Sequence, residues 1–272
     1  MYESYWGLRE SPFTLTPDPR FLYMSKAHED ALMMMHYAIT RNKGAAMLAG
    51  KIGLGKTTIT RKLLETLDPV RYKLVMIVNP LLTPLQMLQE ILSQLEIETK
   101  SRNRQSLIQA LHLALLANYD RGQCVILMID EAHLIKRAAA FEEIRLLLNC
   151  QMNDQFLISL ILVGQPELRE RLAAVPALEQ RLAVRYELKV LDEFDTGELI
   201  THRLRVAGYT RKQSPFTPDA IHEIYKISGG VPRVILQLAD NAMLMAMARK
   251  EPMIDGFLTH NVAEEYFGGV AA

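Results

Sequence analysis

Short apolar runs alternate along the chain with stretches in which apolar residues recur at helical spacing, and this alternation organises residues 30 to 191. The runs Ala45–Ala49, Tyr72–Val78, Cys124–Ile129, Phe156–Val163 and Arg185–Val190 are predicted as strands. Helices are predicted from Lys56 to about Leu67, from the Thr83-Pro84 pair onward, over Gln105–Tyr119 and over Ala138–Asn149. Thr83 can cap the second of these, and Pro84 suits its first helical position. Strands this apolar, separated by helices, imply an α/β fold with a parallel sheet covered on both faces.

The strand pattern stops after Asp192. Asp195 with Glu198 reads as a capping box, and Thr217-Pro218 opens a further helix. Val231–Arg249 and Leu258–Phe267 follow as helices, so the C-terminal third is expected to be an all-helical subdomain. Residues 1–29 are rich in aromatics, and Pro12, Pro17 and Pro19 exclude a long helix there. The expected organisation is an N-terminal arm at 1–29, an α/β core at 30–191 and a helical lid at 192–272. Met243, Met245 and Met247 read as core packing rather than metal ligands, since thioethers fill irregular gaps.

Chemistry enters at the end of the first strand. Gly50-Lys51-Ile52-Gly53-Leu54-Gly55-Lys56-Thr57, followed by Thr58, fits G-x-x-x-x-G-K-[ST]. Glycines let such a loop turn its backbone N–H groups toward a phosphate, and the following helix adds the positive end of its dipole. Lys56 is expected to reach the β- and γ-phosphates, and Thr57 to hold Mg²⁺. A chance match in a chain of this length is about a one in a hundred event. The position between an apolar strand and a helix lowers that further.

A second strand, Val125–Ile129, delivers Asp130 and Glu131 at its C-terminal end, where ligands sit in open α/β sheets. Asp130 is expected to serve Mg²⁺, and Glu131 to polarise the attacking water as general base. Without the phosphate loop, an ordinary acidic strand end would be the better reading. Asp130-Glu131-Ala132-His133 spells the name of a helicase class, but no second set of helicase motifs follows. His133 reads as a structural or coupling residue.

Composition narrows the function classes. Lys plus Arg equals Asp plus Glu at 31 each, which argues against bulk electrostatic DNA binding. Lys100, Arg102 and Arg104 form one basic cluster, read first as a solvated helix start. Cys124 and Cys150 make no disulfide framework and suit core thiols of a reducing compartment. The longest apolar runs fall well short of the roughly 20 residues a bilayer requires. The expectation is a cytoplasmic protein, with any link to the inner membrane made through a partner.

Taken together these residues resemble the AAA+ superfamily. The resemblance implies a polar sensor at Gln165, at the end of a strand inserted between those bearing the phosphate loop and Asp130. It implies an arginine finger reaching a neighbouring subunit's nucleotide from Leu178–Arg185, a stretch expected to precede the last strand. Arg181 is the first choice there and Arg185 the second, against ordinary surface ion pairing. It also implies a second sensor at Arg233 within Gly229-Gly230-Val231-Pro232-Arg233. A cation at a helix N-terminus opposes the helix dipole, which favours a functional reason for it.

A narrower resemblance lies in Tyr5-Trp6-Gly7-Leu8, Pro12-Phe13, Thr16-Pro17-Asp18-Pro19, Phe21-Leu22-Tyr23, His28 and Ala31. It continues through Gln165-Pro166-Glu167-Leu168 to Arg233. These residues look like the general secretion pathway protein A (ExeA) ATPases, with TnsC/IstB-type transposition ATPases more remote. Such proteins continue into a membrane span and a peptidoglycan-binding part, and these 272 residues contain neither pattern. The resemblance implies an ATP- and Mg²⁺-dependent ATPase, oligomeric as a ring or helix, with ATP between core and lid and the arm near the adenine. It would act as a motor or switch for a secretion or pilus-type envelope system. A DNA-associated transposition regulator is the alternative, with nucleic acid the less favoured partner. A nucleotide-gated scaffold is a third reading, opposed by Glu131, because binding alone needs no base.

Overall fold

A computed structural model describes residues 1–16, 18–99, 101–152 and 155–268; Pro17 of the arm and Lys100 of the basic cluster lie outside them. The helices are α1 (Glu3–Trp6), α2 (Lys26–Thr40), α3 (Lys56–Thr66), α4 (Pro84–Gln94), α5 (Arg104–Asp120), α6 (Ala138–Leu147), α7 (Glu167–Ala173), α8 (Pro176–Glu179), α9 (Glu193–Val206), α10 (Pro218–Ser228), α11 (Pro232–Arg249) and α12 (Gly256–Phe267). The strands are β1 (Ala45–Ala49), β2 (Tyr72–Ile77), β3 (Cys124–Ile129), β4 (Gln151–Met152), β5 (Gln155–Phe156), β6 (Ile158–Gly164) and β7 (Leu182–Glu187). Two compact units result. One comprises Glu29–Lys51 and Ile59–Leu188; the other comprises Met1–His28, Ile52–Thr58 and the chain from Lys189 on.

The first unit holds a five-stranded sheet in the order β2-β3-β6-β1-β7, with every neighbouring pair parallel. The sheet is the expected one, and β6 lies between β1 and β3 as expected. On one face Met47, Val75, Leu127 and Leu160 join a core with Leu88 and Ile91 of α4, Leu111 and Leu115 of α5, and Phe141 and Ile144 of α6. Alternation turns Leu48, Ile126, Met128 and Ile161 to the other face, where they are equally buried. Each such side chain contributes about 1.5–3 kcal/mol on burial. The Thr83 hydroxyl accepts the Gln86 N–H, and the Gln86 side chain accepts from the Thr83 N–H, so α4 opens with a full capping box.

Two strand boundaries differ from expectation. The last strand is Leu182–Glu187 rather than Arg185–Val190. In it Leu182 and Val184 are buried while Ala183 and Arg185 are exposed. That is the alternation of an edge strand with one open face, whereas an apolar run describes a strand covered on both faces. Leu182–Arg185 is therefore part of the strand, not a lead-in to it. Phe156 is the second: it pairs with Gln151 in the short antiparallel pair β4–β5, and the sheet strand begins only at Ile158.

The second unit is helical, built from α9 to α12 around Leu199, Ile200, Leu238, Met243, Ile254 and Val262. The N-terminal arm belongs to this core. The Trp6 indole N–H donates to the Met243 carbonyl at 3.1 Å, the Tyr2 hydroxyl donates to Asp240, and the Arg9 N–H donates to the Ala207 carbonyl at 2.8 Å. Buried Arg203 donates to the Pro12 and Thr14 carbonyls, and burial lowers its pKa to about 10. The cap of α9 is Asp192, which accepts the Asp195 N–H at 2.7 Å; Asp195 and Glu198 do not form the expected capping box. Asp195 lies inside the first turn, and its carboxylate takes the Tyr23 hydroxyl at 2.7 Å. Met243 is buried, with Met245 and Met247 packed beside it, so the methionines fill this core.

Among the described residues no helix is long and apolar enough to cross a membrane. Both cysteines are free thiols, and burial raises the pKa of each. Arg104 stays exposed but grips the Glu143 carboxylate with two nitrogens at 2.6–3.2 Å, so its charge is paired within the chain.

Candidate nucleotide-binding site

β1 runs straight into the loop Gly50–Gly55, and α3 begins at Lys56. Within the α/β unit the Gly50 N–H donates to the Gly164 carbonyl at 3.1 Å, which anchors the loop's entry to β6. Gly53 and Gly55 have φ of +81° and +93°, a region L side chains rarely adopt. Space confirms the requirement at Gly53, where a Cβ would meet Cβ of Arg233 at 2.8 Å. The Gly53 carbonyl accepts the Arg233 N–H at 3.2 Å, and the Leu54 carbonyl lies 3.0 Å from Nε2 of His28. The Thr58 N–H donates to the Gly55 carbonyl at 3.0 Å, closing the first turn of α3. That turn carries no acidic residue of its own to meet the positive end of the helix dipole. Lys51, Ile52 and Thr57 are exposed, Leu54 and Lys56 are buried, and Thr58 is half-buried.

At the end of β3 the Asp130 carboxylate is buried and accepts the Glu131 N–H at 2.8 Å. Glu131 has φ of +49°, uncommon for a residue with a side chain, and the turn holds its carboxylate half-exposed. His133 is buried in the turn that follows. Its Nδ1 lies 3.3 Å from the Glu131 carboxylate and 3.3 Å from the Gln165 N–H, and its Nε2 lies 2.9 Å from the Gln165 side-chain amide. Nδ1 can donate to Glu131 or accept from Gln165, and each choice fixes which end of the Gln165 amide faces Nε2. Glu131, His133 and Gln165 thus form one cluster within the α/β unit.

The arginines predicted as fingers have other partners. Arg181 is half-buried and donates to the Arg145 carbonyl at 3.4 Å. Arg185 points outward from β7, donates to the Glu179 carbonyl at 2.5 Å and lies 3.8 Å from the Glu179 carboxylate. Arg233 is in the first turn of α11, as expected, with its backbone against the phosphate loop. Sequence reasoning assigned no role to His28. Its signal was its place in the family-like pattern at the start of α2.

A glycine-rich loop between a strand and a helix, in a chain whose parallel sheet carries acidic residues at the end of β3, two strands from β1, is the pattern of a P-loop nucleotide-binding fold. Residues 39–172 match the family model described as AAA domain. The fold is shared with the ORC2 protein of Aeropyrum pernix at a TM-score of 0.68 and 15% identity, covering 94% of this chain and 71% of that one. It is shared with Cdc6p of Pyrobaculum aerophilum at a TM-score of 0.66 and 20% identity, covering 96% and 72%. The RuvB branch migration motor of Thermotoga maritima follows at a TM-score of 0.58 and 19% identity, covering 89% and 70%.

Residues 39–172 therefore belong to the AAA domain family, with the fold of P-loop NTPases. The chain is related to general secretion pathway protein A of Aeromonas hydrophila, at 36% identity over 253 residues. That match covers 92% of this chain but 45% of the relative, so the chain spans about half the relative's length.

Proposed function

We propose that this chain is a Mg²⁺-dependent ATPase that works as a ring or helical oligomer in assembling envelope machinery of the secretion or pilus type. The observation that carries the ATP-binding part is the loop itself, whose Gly53 and Gly55 adopt positive φ ahead of a helix with no acid in its first turn. A cradle of this kind fits polyphosphate. Thr57 and Asp130 offer the hard oxygen donors that Mg²⁺ takes, and Mg²⁺ when bound neutralises charge on the β- and γ-phosphate oxygens.

Gly50 to Thr58 would hold the phosphates, with Lys56 pairing with their charge. Glu131 would accept the proton of the attacking water, while Gln165 and Arg233 would sense the nucleotide. Arg181, or the more exposed Arg185, would act on a neighbouring subunit's nucleotide. The relation to general secretion pathway protein A supports the envelope setting. The ion pair of Arg104 with Glu143 offsets one positive charge of the basic cluster.

Phosphate release measured with ATP and Mg²⁺, with and without duplex DNA, tests this reading. The expected result is turnover indifferent to DNA. Strong stimulation by duplex that collapses with rising salt would replace the envelope role with a nucleic-acid one. Failure to bind ATP at all would overturn the site.

A further inference from the structure

We propose that His28 is a positioning residue for the nucleotide phosphates, acting with the first turn of α11 to hold the phosphate loop in its binding shape from outside. The inference rests on the nucleotide-binding reading above and adds a determinant to it. A trans peptide points its C=O and its N–H in opposite directions. The Gly53 carbonyl is taken by the Arg233 N–H, so the Leu54 N–H faces away from α11. The Leu54 carbonyl is taken by His28, so the Gly55 N–H faces away from the imidazole. Two consecutive N–H groups are thereby turned to the side opposite their clasps, which is the arrangement that binds an anion.

The tautomer follows from the hydrogen bonds. Nδ1 of His28 lies 2.6 Å from the Ser25 hydroxyl, which can donate to it, leaving Nε2 to carry the proton and donate to Leu54. Burial lowers the His28 pKa and so favours this neutral ring. The ring also packs on the loop: a Cβ at Gly55 would come within 3.3 Å of Nε2. Glycine-rich backbone is the most expensive to order, so a loop fixed before the ligand arrives binds it more tightly. The second clasp belongs to α11, so the shape of the loop and the position of that helix are linked.

An ordinary core histidine would also be buried and hydrogen-bonded, so the test must separate the two contacts. His28→Asn retains a polar atom near Nδ1, opposite Ser25, but cannot reach Leu54. His28→Gln places an amide N–H near the position of Nε2. Affinity for a fluorescent ADP analogue, with ATP as competitor, is measured on the whole chain well below each variant's melting temperature. We expect His28→Asn to weaken both nucleotides by about tenfold, the loss of one hydrogen bond to a charged ligand's cradle, and His28→Gln to remain near the parent. An unchanged affinity in His28→Asn overturns the proposal. So does equal weakening in both variants, since the Leu54 contact would then not be the determinant. If the parent itself binds no nucleotide, the reading of the site falls first, and this inference with it.

Discussion

The side-chain amide of Gln165 lies 2.9 Å from Nε2 of His133, and the other nitrogen of that ring lies 3.3 Å from the Glu131 carboxylate. A polar residue at the end of β6 and an acid after β3 thus share one imidazole. With the Gln165 amide nitrogen toward Nε2, the ring accepts there and Nδ1–H is directed at Glu131. With the amide reversed, Nε2–H donates to the amide oxygen and Nδ1 accepts the Gln165 N–H. Whatever turns Gln165 therefore changes what Glu131 is hydrogen-bonded to.

His133→Ala should lower kcat for ATP hydrolysis by about tenfold, a fraction of the 10²–10⁴ that a general base supplies. Binding should be unchanged, because no phosphate contact is lost. Steady-state kinetics with a separate ATP affinity measurement check this. A raised Kd with unchanged kcat would instead assign His133 to binding.

Glu131→Gln should bind ATP as the parent does and hydrolyse it about 10²–10⁴ times more slowly. The amide retains the shape of the acid and the backbone of the turn, but cannot take a proton. Single-turnover phosphate release gives the rate directly. A variant as fast as the parent would remove Glu131 from the chemistry.

Lys56→Ala should lose tight ATP binding while keeping its arginines. Arg181→Ala and Arg185→Ala should bind ATP, and the one that removes the finger should hydrolyse it slowly. Mixing that variant with Lys56→Ala subunits should restore partial activity, since one partner supplies the nucleotide and the other the arginine. A mixture as inactive as its components would show that neither arginine acts in trans.

Stability should fall as pH drops below about 6.5, and His28 should account for part of the fall. Its folded pKa is depressed by burial, partly offset by the hydrogen bond to the Leu54 carbonyl and by Asp195, while in the unfolded chain it titrates near 6.5. Between the two values the unfolded state binds more protons, so stability is complete above the unfolded pKa and drains away as pH falls through the folded one. His260, held above its usual pKa by Glu223, contributes with the opposite sign. Urea unfolding of the parent and of His28→Gln between pH 7.5 and pH 5 isolates the His28 share. Parallel curves would assign the acid sensitivity to other groups.

Much of this fold was readable because its strands are covered on both sides. β1 and β3 are continuous apolar runs, and the loop after β1 carries residues that suit only one chemistry. β7 was misplaced because an edge strand alternates, and its buried Leu182 and Val184 do not form a run. The start of α9 was misread because Asp192 and Asp195 both sit three residues before another acid; in the folded chain Asp192 caps and Asp195 takes the Tyr23 hydroxyl instead. His133 stood out next to Glu131, but its link to Gln165 spans 32 positions and appears only in the folded chain. His28 is legible only as part of a pattern, because its contact is to a backbone carbonyl that no residue type announces.

Trp6 is the chain's single tryptophan, and its indole is buried against α11 in the helical unit. The α/β unit contains none. Tryptophan emission is consequently a private signal from one of the two units, while circular dichroism reads both. Followed side by side in denaturant, the two signals would show whether the helical unit and the sheet come apart in one step or in two, with no label added to the protein.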